Sequence, residues 1–292
     1  MDIDNVTEVI NSSINSLYSS FLNSINVDSY EILDEITFID SKILDNTYFI
    51  SFLDNHSHSI IDIANALLLA FLIYYGFSYL FSHLSGNSVE KPFQFIIKFT
   101  ICAICVNFSY FICKQIINVF DILTDCIREY YNFIFSSKIS FSYLGNQLEE
   151  IFFSEILPEP NFFSFEGILS IFISFGVFNL IITYSYRYIL IKLLILLSPF
   201  FILSYSTNST KWLFKMWIKN LFSLLSIQLV VSIILFITTS IEYNVVDATT
   251  KILYIGALYA LIKTTSFVKD FTSGFTTDIT SGISSLKSSL HW

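Results

Sequence analysis

The chain of 292 residues is 54% hydrophobic and 18% aromatic, and only 13% of its residues are charged. Average soluble domains carry roughly a quarter charged residues, so this composition excludes an ordinary soluble globule. The formal net charge of −9 comes without a basic patch, which excludes a protein that binds free nucleic acid through such a patch.

The uncharged stretches predict the fold class. From Ile60 to Val268 the chain repeatedly runs about twenty residues with almost no charge, the length that a helix needs to cross a bilayer. Lipid cannot hydrogen-bond a bare peptide group, so each stretch must cross as a helix that satisfies its own backbone. We therefore expect an all-α, polytopic helical membrane protein.

Residues 1–59 precede the first of these stretches and are rich in acid. Eleven acidic residues lie in residues 1–62, where Lys42 is the only base. Apolar residues recur at helical spacing over residues 4–26 and 30–54, with polar residues between them. The pattern predicts two amphipathic helices outside the membrane, on the extracytoplasmic side.

Residues 60–120 predict a hairpin of two spans. The first runs from Ile63 to Phe81, and Asp62 is expected at its water boundary because an aspartate at a helix centre costs about 3 kcal/mol. A buried proton-relay acid is the alternative for Asp62. The second span lies between Lys98 and Lys114, whose side chains we expect to snorkel toward opposite headgroup layers.

The four cysteines give two separate expectations. Cys102 and Cys105 have the spacing of a zinc or redox pair, but both lie in an apolar span without partner histidines, which favours inert packing. Cys113 and Cys126 flank a polar boundary, so a disulfide between them on an oxidising face is an open alternative.

The C-terminal half divides into a loop, a membrane bundle and a tail. Eight acidic residues mark an external loop at residues 121–167, which we expect to open as a helical continuation of the second span and to contact substrate or outside partners. The bundle occupies residues 168–268, and a mobile cytoplasmic tail follows at 269–292. Its predicted spans are Ile168–Tyr186, Asn220–Ile241 and Ile252–Val268.

The segment Leu193–Ser206 contains Pro199 and decides the number of spans. If it dips and returns, the protein has five spans plus a re-entrant segment, and ten of the 15 basic residues share one side with the C-terminus. Because Lys and Arg collect on the cytoplasmic side, this arrangement places the N-terminus outside and the C-terminus inside. A six-span protein that starts inside is the open alternative.

A stripe of lysines precedes the fourth span. Lys211, Lys215 and Lys219 are four residues apart and share one helical face, while Trp212 and Trp217 lie off that face. This pattern predicts a helix in the headgroup layer with its indoles at the membrane boundary. A simple anchor before the span is the alternative.

The apolar run Leu193–Ile202 with Pro199, followed by Trp212 and Trp217 entering a long apolar helix, resembles the TrbL-type family. This is the family of the sixth VirB protein, the polytopic inner-membrane subunits of type IV secretion and conjugation systems. The resemblance is strongest over residues 168–241. It implies a scaffold or channel-lining subunit of the bacterial inner membrane, present in several copies, that helps protein or nucleoprotein cross.

The partners that the resemblance implies are single-span scaffold subunits and cytoplasmic ATPases of the same machine, membrane lipid, and transiently the secreted substrate. The candidate site residues are structural or interfacial rather than catalytic. They are Pro199, Trp212, Trp217, Lys211, Lys215, Lys219, Arg187 and Lys192.

Enzyme function is not expected, because the sequence holds no phosphate-binding glycine loop, no paired metal ligands and no nucleophile motif; cofactors are not expected either. The alternative function is an ion-coupled transporter or channel, although the sequence has no internal repeat of the kind that many transporters carry. It would be built around the polar residues Asp62, Asn107, Arg187, Lys192 and Gln228.

Overall fold

The computed structural model describes residues 13–14, 16–17, 28–45, 59–85, 92–153, 165–207, 209–241 and 248–289. These residues form nine α-helices and no β-strand, which confirms the predicted all-α class. The helices are α1 Asp28–Thr37, α2 Ile60–Ser85, α3 Pro92–Asn107, α4 Ser109–Phe135, α5 Phe141–Phe153, α6 Phe165–Leu196, α7 Ser198–Leu203, α8 Lys211–Thr239 and α9 Ala248–Ser289. Short 3₁₀ helices lie at Ser41–Leu44 and Ser204–Ser206.

Four helices are long and apolar enough to cross a membrane. The segments are Ile60–Ser82, Gly167–Leu196, Lys211–Thr239 and Thr249–Asp270, with mean hydropathies of 1.9, 1.9, 2.5 and 1.2. The pair α3 and α4 passes the same test together, and the number rises to five if this bent pair is one span and not a re-entrant loop. The described part of the chain is therefore a multi-pass helical membrane protein, as the sequence predicts.

The second predicted span differs from expectation. A single helix between Lys98 and Lys114 was expected, but α3 ends at Asn107, α4 begins at Ser109, and their axes differ by 69°. The side-chain amide of Asn107 donates to the Ala103 carbonyl at 2.8 Å, a local bond that competes with regular helix geometry. Because α4 runs on to Phe135, the predicted hairpin boundary at residue 120 falls inside a helix.

The helix at the third predicted span is longer than expected, and it leaves too few residues for a separate sixth span. Helix α6 continues past Tyr186 to Leu196, so the segment that remains before α8 contains only the six residues of α7. Six helical residues rise about 9 Å, whereas a bilayer core is about 30 Å thick. The segment with Pro199 therefore does not form a sixth crossing.

The chain termini are only partly covered by these elements. Of the first predicted amphipathic helix, only residues 13–14 and 16–17 lie within the described residues, and both pairs are helical. The second contributes α1 and the 3₁₀ helix Ser41–Leu44. The predicted mobile tail is helical up to Ser289, and its mobility stays a prediction.

The chain divides into two compact units, of which the first comprises residues 1–38, 122–188 and 226–271. In this unit α1 packs on α5. The carboxylate of Asp34 accepts hydrogen bonds from the backbone NH groups of Phe141 and Ser142 at 2.7 and 3.0 Å, and from the Ser142 hydroxyl at 2.8 Å. The first NH groups of a helix have no partner within it, so Asp34 joins α1 to the start of α5.

The second unit comprises residues 39–121, 189–225 and 272–292. Helices α2 and α3 pack on each other, and α7 packs on both. The rings of Tyr75 and Phe95 stack with centroids 3.5 Å apart, and Asn65 and Asn107 exchange two side-chain hydrogen bonds. Since the pair nearer the start of α2 lies at the end of α3, the two helices are antiparallel.

The start of α2 explains Asp62. Its carboxylate accepts from the Ser59 backbone NH at 3.1 Å, while the Ser59 hydroxyl accepts from the Asp62 NH at 3.1 Å. This reciprocal pair is a capping box, which satisfies the open NH groups of a helix N-terminus. Asp62 is exposed at the first turn of α2, which fits the predicted water boundary better than the alternative of a buried proton-relay acid.

The residues before α2 also contact the start of α4. The Tyr110 hydroxyl donates to the Leu44 carbonyl at 3.1 Å, and Lys114 forms an ion pair with Asp45 at 2.8 Å. Lys114 was expected to snorkel toward a headgroup layer, which stays a prediction. Its charge has a protein partner in Asp45, and this pair holds the segment after α1 beside α4.

Candidate functional site

Pro199 ends α6 and begins α7. A proline has no N–H, so in a continuous helix the carbonyl of Ile195 would lose its donor. The helix instead stops before Leu197, and Pro199 sits in the first turn of α7, where proline is well tolerated. The NH groups of Phe200 and Phe201 donate to the Leu197 carbonyl at 3.1 and 3.2 Å. Pro199 is buried, so the break lies inside the protein.

The indole of Trp217 closes this break. Its Nε1–H donates to the carbonyl of Leu194 at 2.9 Å, in the last turn of α6, where carbonyls lack a partner within the helix. The indole also stacks on Phe201 of α7, with ring centroids 6.1 Å apart. We call Leu194, Pro199, Phe201 and Trp217 the Pro–Trp junction. It ties the end of α6 and the short helix α7 to the second turn of α8.

The other end of α7 is held by donors from two elements. The thiol of Cys102 on α3 donates to the carbonyls of Ile202 and Leu203, at 3.4 and 3.8 Å. The Thr210 hydroxyl, just before α8, donates to the Ser204 carbonyl at 2.7 Å. Irregular backbone at membrane depth is tolerated when it is buried in protein. These contacts meet that condition at the C-terminal end of α7.

The lysine stripe and its two tryptophans belong to the first turns of α8 rather than to a separate helix in the headgroup layer. Lys211 places its Nζ 4.7 Å from the centre of the Tyr205 ring, a cation–π contact. Lys215 is exposed and Lys219 is half-buried. Trp212 is 59% exposed but Trp217 only 2%, so Trp212 alone presents its indole at the surface of the described protein.

Arg187 and Lys192 continue α6 beyond its predicted end. Arg187, in the first unit, is 1% exposed, and its Nη1 donates to the carbonyl of Thr37 at 2.9 Å. Thr37 is the last residue of α1, and a cation at a helix C-terminus interacts favourably with the helix dipole. Arg187, named as a structural or interfacial candidate, thus makes a buried contact with α1. Lys192 is half-buried on α6.

The cysteines form no disulfide. All four are free, and Cys113 and Cys126 lie thirteen residues apart on the single helix α4, about 20 Å along its axis. A disulfide needs Cα atoms within about 7 Å, so the open pairing is excluded by geometry. Among the described residues, no group of three or more His, Cys, Asp or Glu side chains is arranged to hold a metal ion.

Sequence reasoning missed two donors at the C-terminal end of α7, Cys102 and Thr210. Cys102 was assigned to inert packing, yet its thiol serves carbonyls about one hundred residues away, and no sequence pattern marks such a contact. Thr210 carries a weak signal, because a threonine directly before a helix often acts as its cap. The acceptor Leu194 could be inferred only in general terms, from the carbonyls that lack a partner in the last turn of any helix.

Comparisons with protein-family models, with curated proteins and with solved structures gave no match.

Proposed function

We propose that this chain is a membrane-embedded scaffold or channel-lining subunit of a type IV secretion system, similar to the TrbL-type family. In this role it would help protein or nucleoprotein substrates cross the bacterial inner membrane. Its partners would be single-span scaffold subunits and cytoplasmic ATPases of the same machine, and several copies would assemble together. The described helices support the coarser part of this proposal, a multi-pass membrane protein.

The observation that carries the proposal is the Pro–Trp junction. The resemblance rests on an apolar run with a proline and on a tryptophan-bearing segment farther along the chain. The bond from Trp217 to Leu194 joins these two parts directly, although they lie 23 residues apart. A sequence motif whose distant parts make one direct contact behaves as a structural unit, which is what a subunit with a fixed internal architecture would require.

The proposed orientation places the N-terminus outside and the C-terminus in the cytoplasm. With α3 and α4 counted as one bent span, five crossings carry the chain from outside to inside. Lys211, Lys215 and Lys219 then lie at the cytoplasmic start of α8, where basic residues collect.

The contacts of three polar residues favour this proposal over an ion-coupled transporter. Asp62 caps α2, Asn107 pairs with Asn65, and Arg187 donates to a carbonyl of α1. Polar residues that carry ions across a bilayer usually face a water-filled cavity or an ion path. Each of these three makes a contact that supports helix structure instead.

A proline exchange tests the junction in cells that depend on this chain for secretion. In Pro199→Ala the new N–H can donate to the Ile195 carbonyl, so α6 and α7 can join and α7 moves away from α3. We expect secretion to fall while the amount of protein in the membrane stays unchanged. Pro92→Ala is the matched control, because Pro92 also begins a helix but is exposed.

Three measurements decide the outcome. Secretion and membrane content are measured together, and the reactivity of Cys102 toward maleimide reports whether α7 has moved. Normal secretion by a Pro199→Ala protein whose Cys102 has become reactive would contradict a role for the junction. Affinity purification from native membranes tests the wider proposal, which fails if intact protein brings down no secretion ATPase or scaffold subunit.

A further inference from the structure

An open apolar groove lies in the first unit, between α4 and α8. It encloses about 470 Å³ and is lined by Cys126, Ile127, Tyr130, Ile233 and Phe236. Apart from the Cys126 thiol and the Tyr130 hydroxyl, these side chains offer only carbon atoms to an occupant. The groove therefore suits an apolar ligand.

Aromatic packing around Phe236 gives the groove a fixed wall. The Phe236 ring meets Tyr131 edge-on at 5.4 Å and Phe135 at 6.3 Å, and it stacks with Tyr130 at 6.4 Å. Edge-on and offset ring contacts of this kind are favourable and directional. Four rings that support one another resist collapse, so the groove persists as a preformed space.

The groove opens onto the face of α8 that lipid covers. Helix α8 is the most apolar of the membrane-spanning helices, and Ile233 and Ile237 on its outer face are 46% and 58% exposed. In a bilayer those side chains contact acyl chains. Ile233 belongs both to this outer face and to the groove, so the groove is continuous with the surface in contact with lipid.

We propose that the groove binds one acyl chain of a membrane lipid. Its lining covers residues 126–130 of α4 and 233–236 of α8, about 6 Å or one turn along each helix. A transmembrane helix from another protein packs along ridges over several turns at 8–10 Å between axes, so it cannot enter a groove of this length. A single polymethylene chain is narrow enough to enter.

The assignment makes the lipid a bound component of the protein and not only its solvent. A chain held between α4 and α8 fills space that would otherwise be empty, and close packing is the main force between helices in a bilayer. The occupied groove thus fixes the spacing of two helices at this level. This inference is independent of the proposed role in secretion.

Photolabelling tests the assignment with the full-length protein. The protein is reconstituted into phosphatidylcholine vesicles in which a small fraction of the lipid carries a diazirine on its acyl chain. After extraction into detergent and washing, it is irradiated and digested. We expect adducts on residues 126–130 and 233–236, and none on Phe175, a lipid-exposed residue of α6 outside the groove. Equal labelling of the groove residues and of Phe175 would overturn the proposal, because the adducts would then come from bulk lipid and not from a bound acyl chain.

Two variants that fill the groove complete the test. Ile233→Trp and Cys126→Leu each place extra carbon atoms in the space, and both should lose the retained lipid and its adducts. Ile237→Trp is the matched control, one turn along the same face and outside the groove, and should keep them. The proposal fails if both filling variants retain the lipid as the control does. It also fails if Cys126 links two copies of the chain with no lipid adduct, because a second copy would then cover this face.

Discussion

A carbonyl in the last turn of a helix inside a bilayer needs a donor from elsewhere in the protein, because lipid supplies none. At the end of α6 that donor is the indole N–H of Trp217, and its acceptor is the carbonyl of Leu194. An indole has one donor and no acceptor, so it can serve a carbonyl without bringing a second polar atom that needs a partner. The residue suits the site because the rest of its ring packs on Phe201.

Replacing Trp217 with Phe isolates this hydrogen bond. The ring contact with Phe201 is largely kept, while the Leu194 carbonyl loses its donor. We expect the free energy of unfolding to fall by about 1 kcal/mol. Trp212→Phe is the matched control, because its side chain is 59% exposed, and it should change stability by less than about 0.5 kcal/mol. Unfolding by dodecyl sulfate in mixed micelles measures both, and equal losses would contradict the proposed bond.

Asp34 gives the first unit a pH dependence. Burial raises the pKa of its carboxyl above the ordinary value of 3.8, against the opposing effect of hydrogen bonds from Phe141 and Ser142 and of the charge on Arg128. Because the folded-state pKa is the higher one, folding favours the protonated acid. The stability that this group contributes is present below about pH 3.8 and is lost as the pH rises through the raised pKa.

Asp34→Asn removes this titration while it keeps one oxygen acceptor for the start of α5. We expect the difference in unfolding free energy between the original protein and the variant to shrink as the pH rises from about 4 through the raised pKa. Unfolding curves at several pH values measure that difference. A difference that grows with pH would mean that hydrogen bonds to the carboxylate outweigh burial and would reverse the sign of the prediction.

The packing of α1 on α5 depends on the absence of one side chain. A Cβ atom added at Gly145 would lie 2.5 Å from the Tyr30 ring, closer than any real contact. Gly256 on α9 has nothing within 4 Å of the same position. Two helical glycines thus differ in whether a neighbour occupies the space beside them.

The exchange to alanine at these two positions separates packing from helix propensity. Gly145→Ala should lower the free energy of unfolding by about 1–3 kcal/mol, since the Tyr30 ring must move. Gly256→Ala should raise it by up to about 1 kcal/mol, because alanine favours a helix interior. In a Tyr30→Ala background the cost of Gly145→Ala should disappear. If that cost persists without the Tyr30 ring, the contact is not its cause.

Elements set by local sequence were predictable, whereas those set by distant partners were not. The first span and the later apolar helices follow from uncharged runs, and Pro199 marks the end of α6 by its own chemistry. Asn107, at the break between α3 and α4, pairs with Asn65, 42 residues earlier, and no nearby sequence pattern marks that partner. Trp217 was placed at the boundary because an indole suits both lipid headgroups and protein interiors. Only the contact with Leu194 shows that the Trp217 indole lies in the protein interior and not among headgroups.

At the scale of the whole molecule, charge bias predicts orientation, but only the helices decide how often the chain crosses. In the structure the segment around Pro199 is the six-residue helix α7, which is too short to cross the membrane. The six-span alternative is therefore removed. The bent pair α3 and α4 then becomes the decisive element. If it crosses once, residues on its two sides face opposite compartments, and if it returns, they face the same one.

Single cysteines in a cysteine-free background test this arrangement. Lys42→Cys and Lys138→Cys should react with a membrane-impermeant maleimide in intact spheroplasts, because both positions are exposed and lie outside in the proposed orientation. Asn87→Cys and Ser209→Cys should react only after the membrane is permeabilised. Labelling of residues 87 and 138 from the same side would mean that α3 and α4 form a re-entrant pair. The chain would then cross four times, and its two ends would lie on the same side.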